Sequence, residues 1–351
     1  MYHLILTVCL AAAPDQCSQR LLPAAESPDR EECLHRGLHV ANDWAVRHTK
    51  LKAGKIDCVP IEAVPALEMT NPADDIYLRA GTPDAPSKEN LGRVGSLGFI
   101  VGDTVAVIDA GTSRAEGEAL YAAIRRVTDR PVSHLVLTGM RPEALLGAEV
   151  FAEAGASIIA HHELPRQMTR QRKNWLPDIA TGIGAATFTG TRLPTIDRTI
   201  DTPVTLDLGD RAVDLVPLPP AQSDSDLTAL DRESGTLWVG ALIGPSDATP
   251  AVEGALKGWL DWTPTGADGE APQLVVPARG PAMSDWSAPF DQQHRYLTAL
   301  GDTIRTLRQQ GIPLKRAIPA TVLALEEFAQ TWPDFRAVTA RNAGKVYGQI
   351  R

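Results

Sequence analysis

Apolar and polar positions divide the chain into four stretches. Leu4 to Leu10 is a short apolar run closed by Ala11-Ala12-Ala13. Between Pro14 and Pro65 helix formers mix with cysteine and charged residues, strand-like alternation is lacking, and a helix is predicted around Glu31 to His48. From Ala66 the pattern changes to short β-rich runs at Ile76 to Leu78, Ser96 to Val101, Val105 to Asp109, His134 to Thr138 and Ser157 to Ala160. Further runs follow at Val204 to Leu208, Ala212 to Leu218, Leu237 to Val239 and Leu274 to Val276. Most end on Gly, Pro, Asp or Asn, the residues that turn a chain sharply. Helical spacing intervenes at Arg114 to Thr128, where Leu120, Ile124 and Val127 share a face, and at Pro142 to Ala154. From about Pro289 to Gly348 the chain is predicted mostly helical, with Leu297, Leu300, Ile304 and Leu307 on one side. Strands first paired by a turn and later separated by helices predict a layered α/β protein.

The opening run reads as a signal peptide over residues 1–13, followed by an N-terminal extension (14–65), a core (66–288) and a helical region completing the domain (289–351). The competing reading of the opening run is a buried strand. The run is too short to span a bilayer, which takes about 20 apolar residues, and nothing later reaches that length. All four cysteines, Cys9, Cys17, Cys33 and Cys58, precede the core, which separates them from any metal or nucleophile role in it. If Cys9 leaves with the leader, one disulfide and one odd thiol are expected among Cys17, Cys33 and Cys58 in an oxidising compartment. Acylation of Cys9 is disfavoured, because Val8 is bulky where a small residue is needed.

Composition narrows the partners. The formal net charge is −9, acidic residues are spread along the chain, and no block of Lys or Arg is interleaved with aromatics. Nucleic acid is therefore not an expected partner, which leaves small molecules and proteins. The hydrophobic content of 44% over 351 residues supports a sizeable core.

Six segments, in order, then carry a resemblance. They are Gly98 to Asp103 with Val107 to Gly111; His134 to Thr138; Leu146 to Phe151; Pro220 to Thr228; Leu237 to Leu242; and Val275 to Pro281. Together they resemble the metallo-β-lactamase superfamily: an opening hairpin ending in Asp-x-Gly, the strand before the H-x-H-x-D-H stretch and the helix start after it. The later segments resemble the third-histidine loop, the strand before the bridging Asp, and the final V-P-G-H-G-P turn. The resemblance implies a four-layer αββα sandwich. A closer resemblance is to the periplasmic quinoprotein relay system zinc metallohydrolases. It rests on the Cys-bearing extension, Glu89-Asn90, Asp226-Leu227-Thr228, Leu256 to Leu260, Gln293 to Leu297 and Arg341-Asn342. It implies export to the periplasm and, as a partner, a quinoprotein dehydrogenase system; the ligand losses set out below also allow pairing with an active paralogue.

In intact members those segments hold zinc that activates water. Here the first stretch reads Gly139-Met140-Arg141-Pro142-Glu143-Ala144, so His, His, Asp and His are replaced by Gly139, Arg141, Glu143 and Ala144. Gln222 stands at the third-His position, Ala241 at the bridging Asp and Arg279 at the last His. Gly139, Ala144 and Ala241 offer no side-chain donor, and the two guanidiniums stay charged and repel a divalent cation. A complete zinc site contributes on the order of 10–16 kcal/mol, which this set cannot supply. No cofactor is therefore expected, and no catalytic residue is assigned. The expected function is non-catalytic binding or assembly, with Arg141 and Arg279 either closing the old site with Glu143 or binding a small anion such as a carboxylate. The alternative is a hydrolase working through a relocated site on Glu143, Asp224 and Asp226, with Asp109 a further available carboxylate. His161 and His162 are predicted not to chelate together, because neighbours on an extended segment point to opposite faces. Ser223 and Ser225 lie in a loop with no assignable His, and no G-x-S-x-G turn is present.

Overall fold

The computed structural model describes residues 1–245 and 247–350, with side chains described outside 172–174. Each β-rich run predicted from Ile76 to Val276 forms a strand, and alternation along the strands sets the layers. The opening unit holds β1 (Tyr2–Leu10), β2 (Ala13–Ser27) and β3 (Leu51–Pro60), with helix α1 (Arg30–Arg47) between β2 and β3. The next seven strands are β4 (Thr70–Ala73), β5 (Ile76–Arg79), β6 (Leu97–Val101), β7 (Val105–Ile108), β8 (Val132–Leu137), β9 (Ser157–His161) and β10 (Arg198–Ile200). They form one sheet, ordered from β10 to β4. A second sheet runs in order through β11 (Val204–Asp207), β12 (Ala212–Pro217), β13 (Leu227–Asp231), β14 (Thr236–Gly240) and β15 (Leu274–Pro277).

Period-two alternation sends neighbouring residues of one strand into different layers. On β6, Leu97, Phe99 and Val101 pack in an outer core with α2 (Arg114–Val127), whereas Ile100 enters the core between the sheets. On β14, Trp238 enters the inter-sheet core, whereas Leu237 and Val239 meet the helices over the second sheet. Gly98 makes the inter-sheet packing possible, because a Cβ there would lie 3.2 Å from Trp238 Nε1 and 3.1 Å from the Tyr77 carbonyl. The order is thus helix, sheet, sheet, helix. The predicted helix over Pro142 to Ala154 forms as two short ones, α3 (Pro142–Leu145) and α4 (Glu149–Glu153). Two unpredicted helices follow β9, α5 (Leu164–Ile183) and α6 (Ala185–Phe188). The fourth layer gathers α7 (Leu256–Asp261), which was not predicted, with α8 (Ser287–Gln309), α9 (Leu314–Ala324) and α10 (Phe335–Tyr347), as the C-terminal periodicity predicts. Unpredicted strands β4, β10 and β13 are short, and two of them lie at the ends of the first sheet.

The N-terminal segment departs most from expectation. The run read as a leader forms β1, the central strand of a three-stranded sheet, with Leu4, Leu6 and Val8 fully buried. Cleavage after Ala13 would remove that strand and one half of a disulfide. The extension is not strand-poor either: β2 and β3 pair with β1 along most of its length. Their exposed polar faces hide the alternation. Helix α1 was predicted within a residue at each end. It starts at Asp29, whose carboxylate accepts the Glu32 N–H at 2.9 Å, and buries Trp44. The cysteines pair as Cys9–Cys17 and Cys33–Cys58, so the expected odd thiol does not exist and Cys9 is not free for acylation. No described helix is long and apolar enough to cross a membrane.

Arg114, at the start of α2, ties this unit to the core. It is wholly buried and bonds Glu118 (2.8 Å), Glu153 (2.7 Å) and the Leu21 carbonyl (2.9 Å), with Glu149 at 3.5 Å. Its guanidinium also lies 5.2 Å from the Trp44 ring centroid. A second buried pair, Arg79 and Glu116 at 2.9 Å, joins β5 to α2. Burial pushes the Glu116 carboxyl up to about 7, against the pull of Arg79 and the Thr112 N–H.

Two predictions follow from these ties. Peptide mapping without reduction should recover the Cys9–Cys17 and Cys33–Cys58 linkages and no free thiol; a linkage from Cys17 to Cys33 or Cys58 would contradict the sheet. Glu116 is protonated more easily folded than unfolded, so its contribution to stability is complete below its ordinary 4.5 and is lost as pH rises through about 7. Denaturant titrations of wild type and Glu116→Gln should therefore diverge by up to ~3 kcal/mol between those pH values, with the wild type losing more. Parallel pH curves would remove the assignment.

Candidate functional site: a strand-end edge held by guanidinium–carboxylate pairs

The seven positions read from the sequence as former metal ligands all follow strand ends that the topology brings to one edge. β7 and β8 are parallel, so Asp109 and the Gly139–Ala144 stretch leave the first sheet on the same side. β14 and β15 are parallel, which places Ala241 and Arg279 on one side of the second sheet. β13 is antiparallel to both β12 and β14, so the loop carrying Gln222 joins them there. The sheets are stitched at this edge by Leu227 N–H to the Thr138 carbonyl at 3.1 Å.

Asp109 is the pivot. Its φ of 58° lies in the left-handed region, sparsely populated by a non-glycine residue. That conformation accompanies a carboxylate that accepts the Thr138 N–H at 2.8 Å and the Thr138 hydroxyl at 2.7 Å, tying the end of β7 to the end of β8. Arg141 Nη2 donates to Thr138 Oγ1 at 2.6 Å and lies 3.4 Å from Asp109 Oδ2. Burial pushes the Asp109 carboxyl above the usual range, and Arg141 and Thr138 oppose that shift. Arg141 Nε is buried with no hydrogen-bond partner among the described residues.

Gly139 and Arg141 are coupled by space. A Cβ at 139 would lie 2.9 Å from Arg141 Nη1 and 3.8 Å from Asp226 Oδ1. A histidine at Gly139 would therefore enter the volume that the Arg141 guanidinium occupies beside Asp226. Asp226 is itself buried and accepts the Ser223 N–H and hydroxyl, each at 2.7 Å. Its carboxyl is pushed up by burial, with Ser223 and Arg141 opposing.

Arg279 forms the second pair. Its Nε and Nη2 both reach Glu143 Oε1 at 3.0 Å, and its Nη1 donates to the Asp84 carbonyl at 3.1 Å. The Glu143 side chain is 6% exposed and that of Arg279 28%. A Cβ on Gly95 would lie 2.9 Å from Glu143 Cβ, so a glycine lets the carboxylate sit back against the core. Glu143 thus serves Arg279, and Arg141 finds its anion in Asp109. Ala144 is fully buried, and its carbonyl accepts the Ala110 N–H at 2.9 Å. Gln222 gives its amide to the Ala251 carbonyl at 3.0 Å, and Ala241 lies in the turn after β14. Among the described residues, no hydrogen bond links Gln222 or Ala241 to either arginine.

Carboxylates at this edge do not assemble for a cation. Among the described residues, no three of His, Cys, Asp or Glu could hold a metal ion, and this includes the relocated set of Glu143, Asp224 and Asp226. The donors present do not fit zinc, because the strongest ones already face guanidiniums or Ser223. Ser225 donates to Gln167 Oε1 at 2.7 Å. His161 bonds the Leu218 carbonyl at 2.9 Å, and its ring stacks on His162 with centroids 4.4 Å apart. The two rings are therefore not on opposite faces, since the strand ends at His161 and the chain turns. The Thr138 and Asp84 contacts were not foreseen; only the Thr138-x-x-Arg141 spacing hinted at the first.

No family model matches the chain, and no curated protein does. Solved structures do. A metallo-β-lactamase from Pontibacter korlensis superposes with a TM-score of 0.52 at 15% identity, covering 66% of this chain and 98% of that one. The metallo-β-lactamase DIM-1 and the protein TMB-1 each superpose with a TM-score of 0.50 at 13% identity, covering 67% of this chain and 98% of theirs. At such identity the likeness speaks for architecture alone, and it agrees with the layers and topology described above: this chain has the metallo-β-lactamase fold, with a disulfide-bonded unit at its N-terminus and helices at its C-terminus.

Proposed function

We propose that the protein is a non-catalytic, metal-free protein of this fold that serves in binding or assembly outside the cytoplasm. The observation that carries the proposal is the pairing at the former metal edge: Arg141 with Asp109, and Arg279 with Glu143. Fixed positive charge stands where a metal would bring it, and each guanidinium already has an internal carboxylate. This supports a closed, structural edge over an anion pocket there. The two disulfides support an oxidising compartment, periplasmic or secreted. The partner class suggested by sequence, a quinoprotein dehydrogenase system or an active paralogue, belongs to this proposal.

Metal analysis of purified protein should find far less than one zinc per chain, and EDTA should leave the melting temperature unchanged. A stoichiometric metal, or a drop of several degrees with chelator, would sink the reading. Glu143→Ala should destabilise the fold by about 2–3 kcal/mol, below the ~3–5 kcal/mol of a fully buried pair because the Arg279 side chain is 28% exposed. Citrate should not raise the melting temperature of the wild type. A rise that disappears in an Arg141→Ala, Arg279→Ala double variant would instead establish an anion pocket.

A further inference from the structure

A cavity of about 820 Å³ opens between the N-terminal unit and helices α5 and α6, lined by none of the seven former ligand positions. Its apolar lining comes from both sides: Leu10 and Leu51 from the ends of β1 and β3, Leu176 and Phe188 from α5 and α6. Its charged lining is of one sign. Arg47, Lys50 and Lys88 border it, and no carboxylate does among the described residues that line it. In a chain with 43 acidic and 34 basic residues, that separation is against the average. The cations are also largely unspent. The salt-bridged lysines among the described residues are Lys257 and Lys345, not Lys50 or Lys88. Arg47 reaches Glu153 only at 3.8 Å, with its side chain 46% exposed.

An apolar floor under a rim of one sign, in which Lys50 and Lys88 form no salt bridge among the described residues and Arg47 a long one, matches one kind of small molecule: a hydrocarbon body that ends in an anion. The volume falls within the roughly 300–1,000 Å³ of small-molecule sites. We infer that this cavity binds a soluble amphiphilic carboxylate, with its chain against Leu10, Leu51, Leu176 and Phe188 and its head among Arg47, Lys50 and Lys88. The cavity touches the junction with the core, since His48 in its wall bonds both the Trp44 carbonyl and Glu149. A bound ligand therefore contacts both units and stabilises their junction.

The test is calorimetric titration of the full chain with octanoate, decanoate and dodecanoate, alongside thermal melts. The expected result is saturable binding of one molecule per chain, with affinity rising about two- to fourfold per added methylene and the melting temperature rising with it. Lys50→Glu with Lys88→Glu should weaken decanoate at least tenfold and leave uncharged decanol unaffected. Ala180→Trp, which fills the cavity, should weaken decanoate and decanol alike. Absent or unsaturable binding, or decanoate binding indifferent to the charge reversal, overturns the assignment. So does binding to anionic vesicles without binding to monomeric decanoate, which would make the basic rim a membrane-contacting surface.

Discussion

The buried guanidinium of Arg114 is the interaction on which the arrangement of this protein depends. Burial works against its charge, yet Glu153, Glu118 and Glu149 together raise its pKa, so it stays protonated. Those carboxylates belong to α2 and α4, while the Leu21 carbonyl and the Trp44 ring belong to the N-terminal unit. One cation thus satisfies acids on the core and seats the extension on them. Such a group is costly to leave half-paired, and removing either side exposes the other as unpaired charge in a low-dielectric interior. His48 and Arg192 add to the same Glu149 at 3.2 and 3.1 Å, and Arg20 to Glu118 at 3.3 Å. The N-terminal unit is therefore a docked part of the structure and not a tether.

The edge where the core strands end follows the same chemistry. Side chains of both sheets are gathered there by guanidiniums, each reaching a carboxylate across an element boundary: Arg141 to Asp109 at the end of β7, Arg279 to Glu143 in α3. Small residues make room for them. Gly139 leaves space for the Arg141 guanidinium, and Gly95 lets Glu143 recede toward the core. These glycines lie against the charged pairs they admit, which is what a packed, neutralised edge requires.

The layers rest on their own apolar cores. Alternation within β6 and β14 supplies both the outer and the inter-sheet cores, and the sheets are joined through Leu206, Leu215, Ala229 and Trp238 on one side and Ile76, Ile100 and Ile108 on the other. The strand ends are then held by Asp109 on Thr138 and by the hydrogen bond from Leu227 to Thr138.

What the sequence determined by itself was local: the strand runs of the core, helix α2, the C-terminal helices and the identity of every residue at the former ligand positions. Period and turn residues carry that information within a few neighbours of each position. The sequence did not determine the role of Leu4 to Leu10, because an apolar run of that length has the same composition as a leader core and as a strand buried between two others. It left the cysteines unpaired, since spacing alone does not fix which of them meet. It could not assign Arg141 to Asp109 and Arg279 to Glu143, because partners 32 and 136 residues apart are selected by the parallel pairing of β7 with β8 and by the meeting of two sheets at one edge. Only the tertiary structure decided those pairings, since an ion pair between distant residues forms where the fold brings opposite charges within reach in a site too dry to leave either alone.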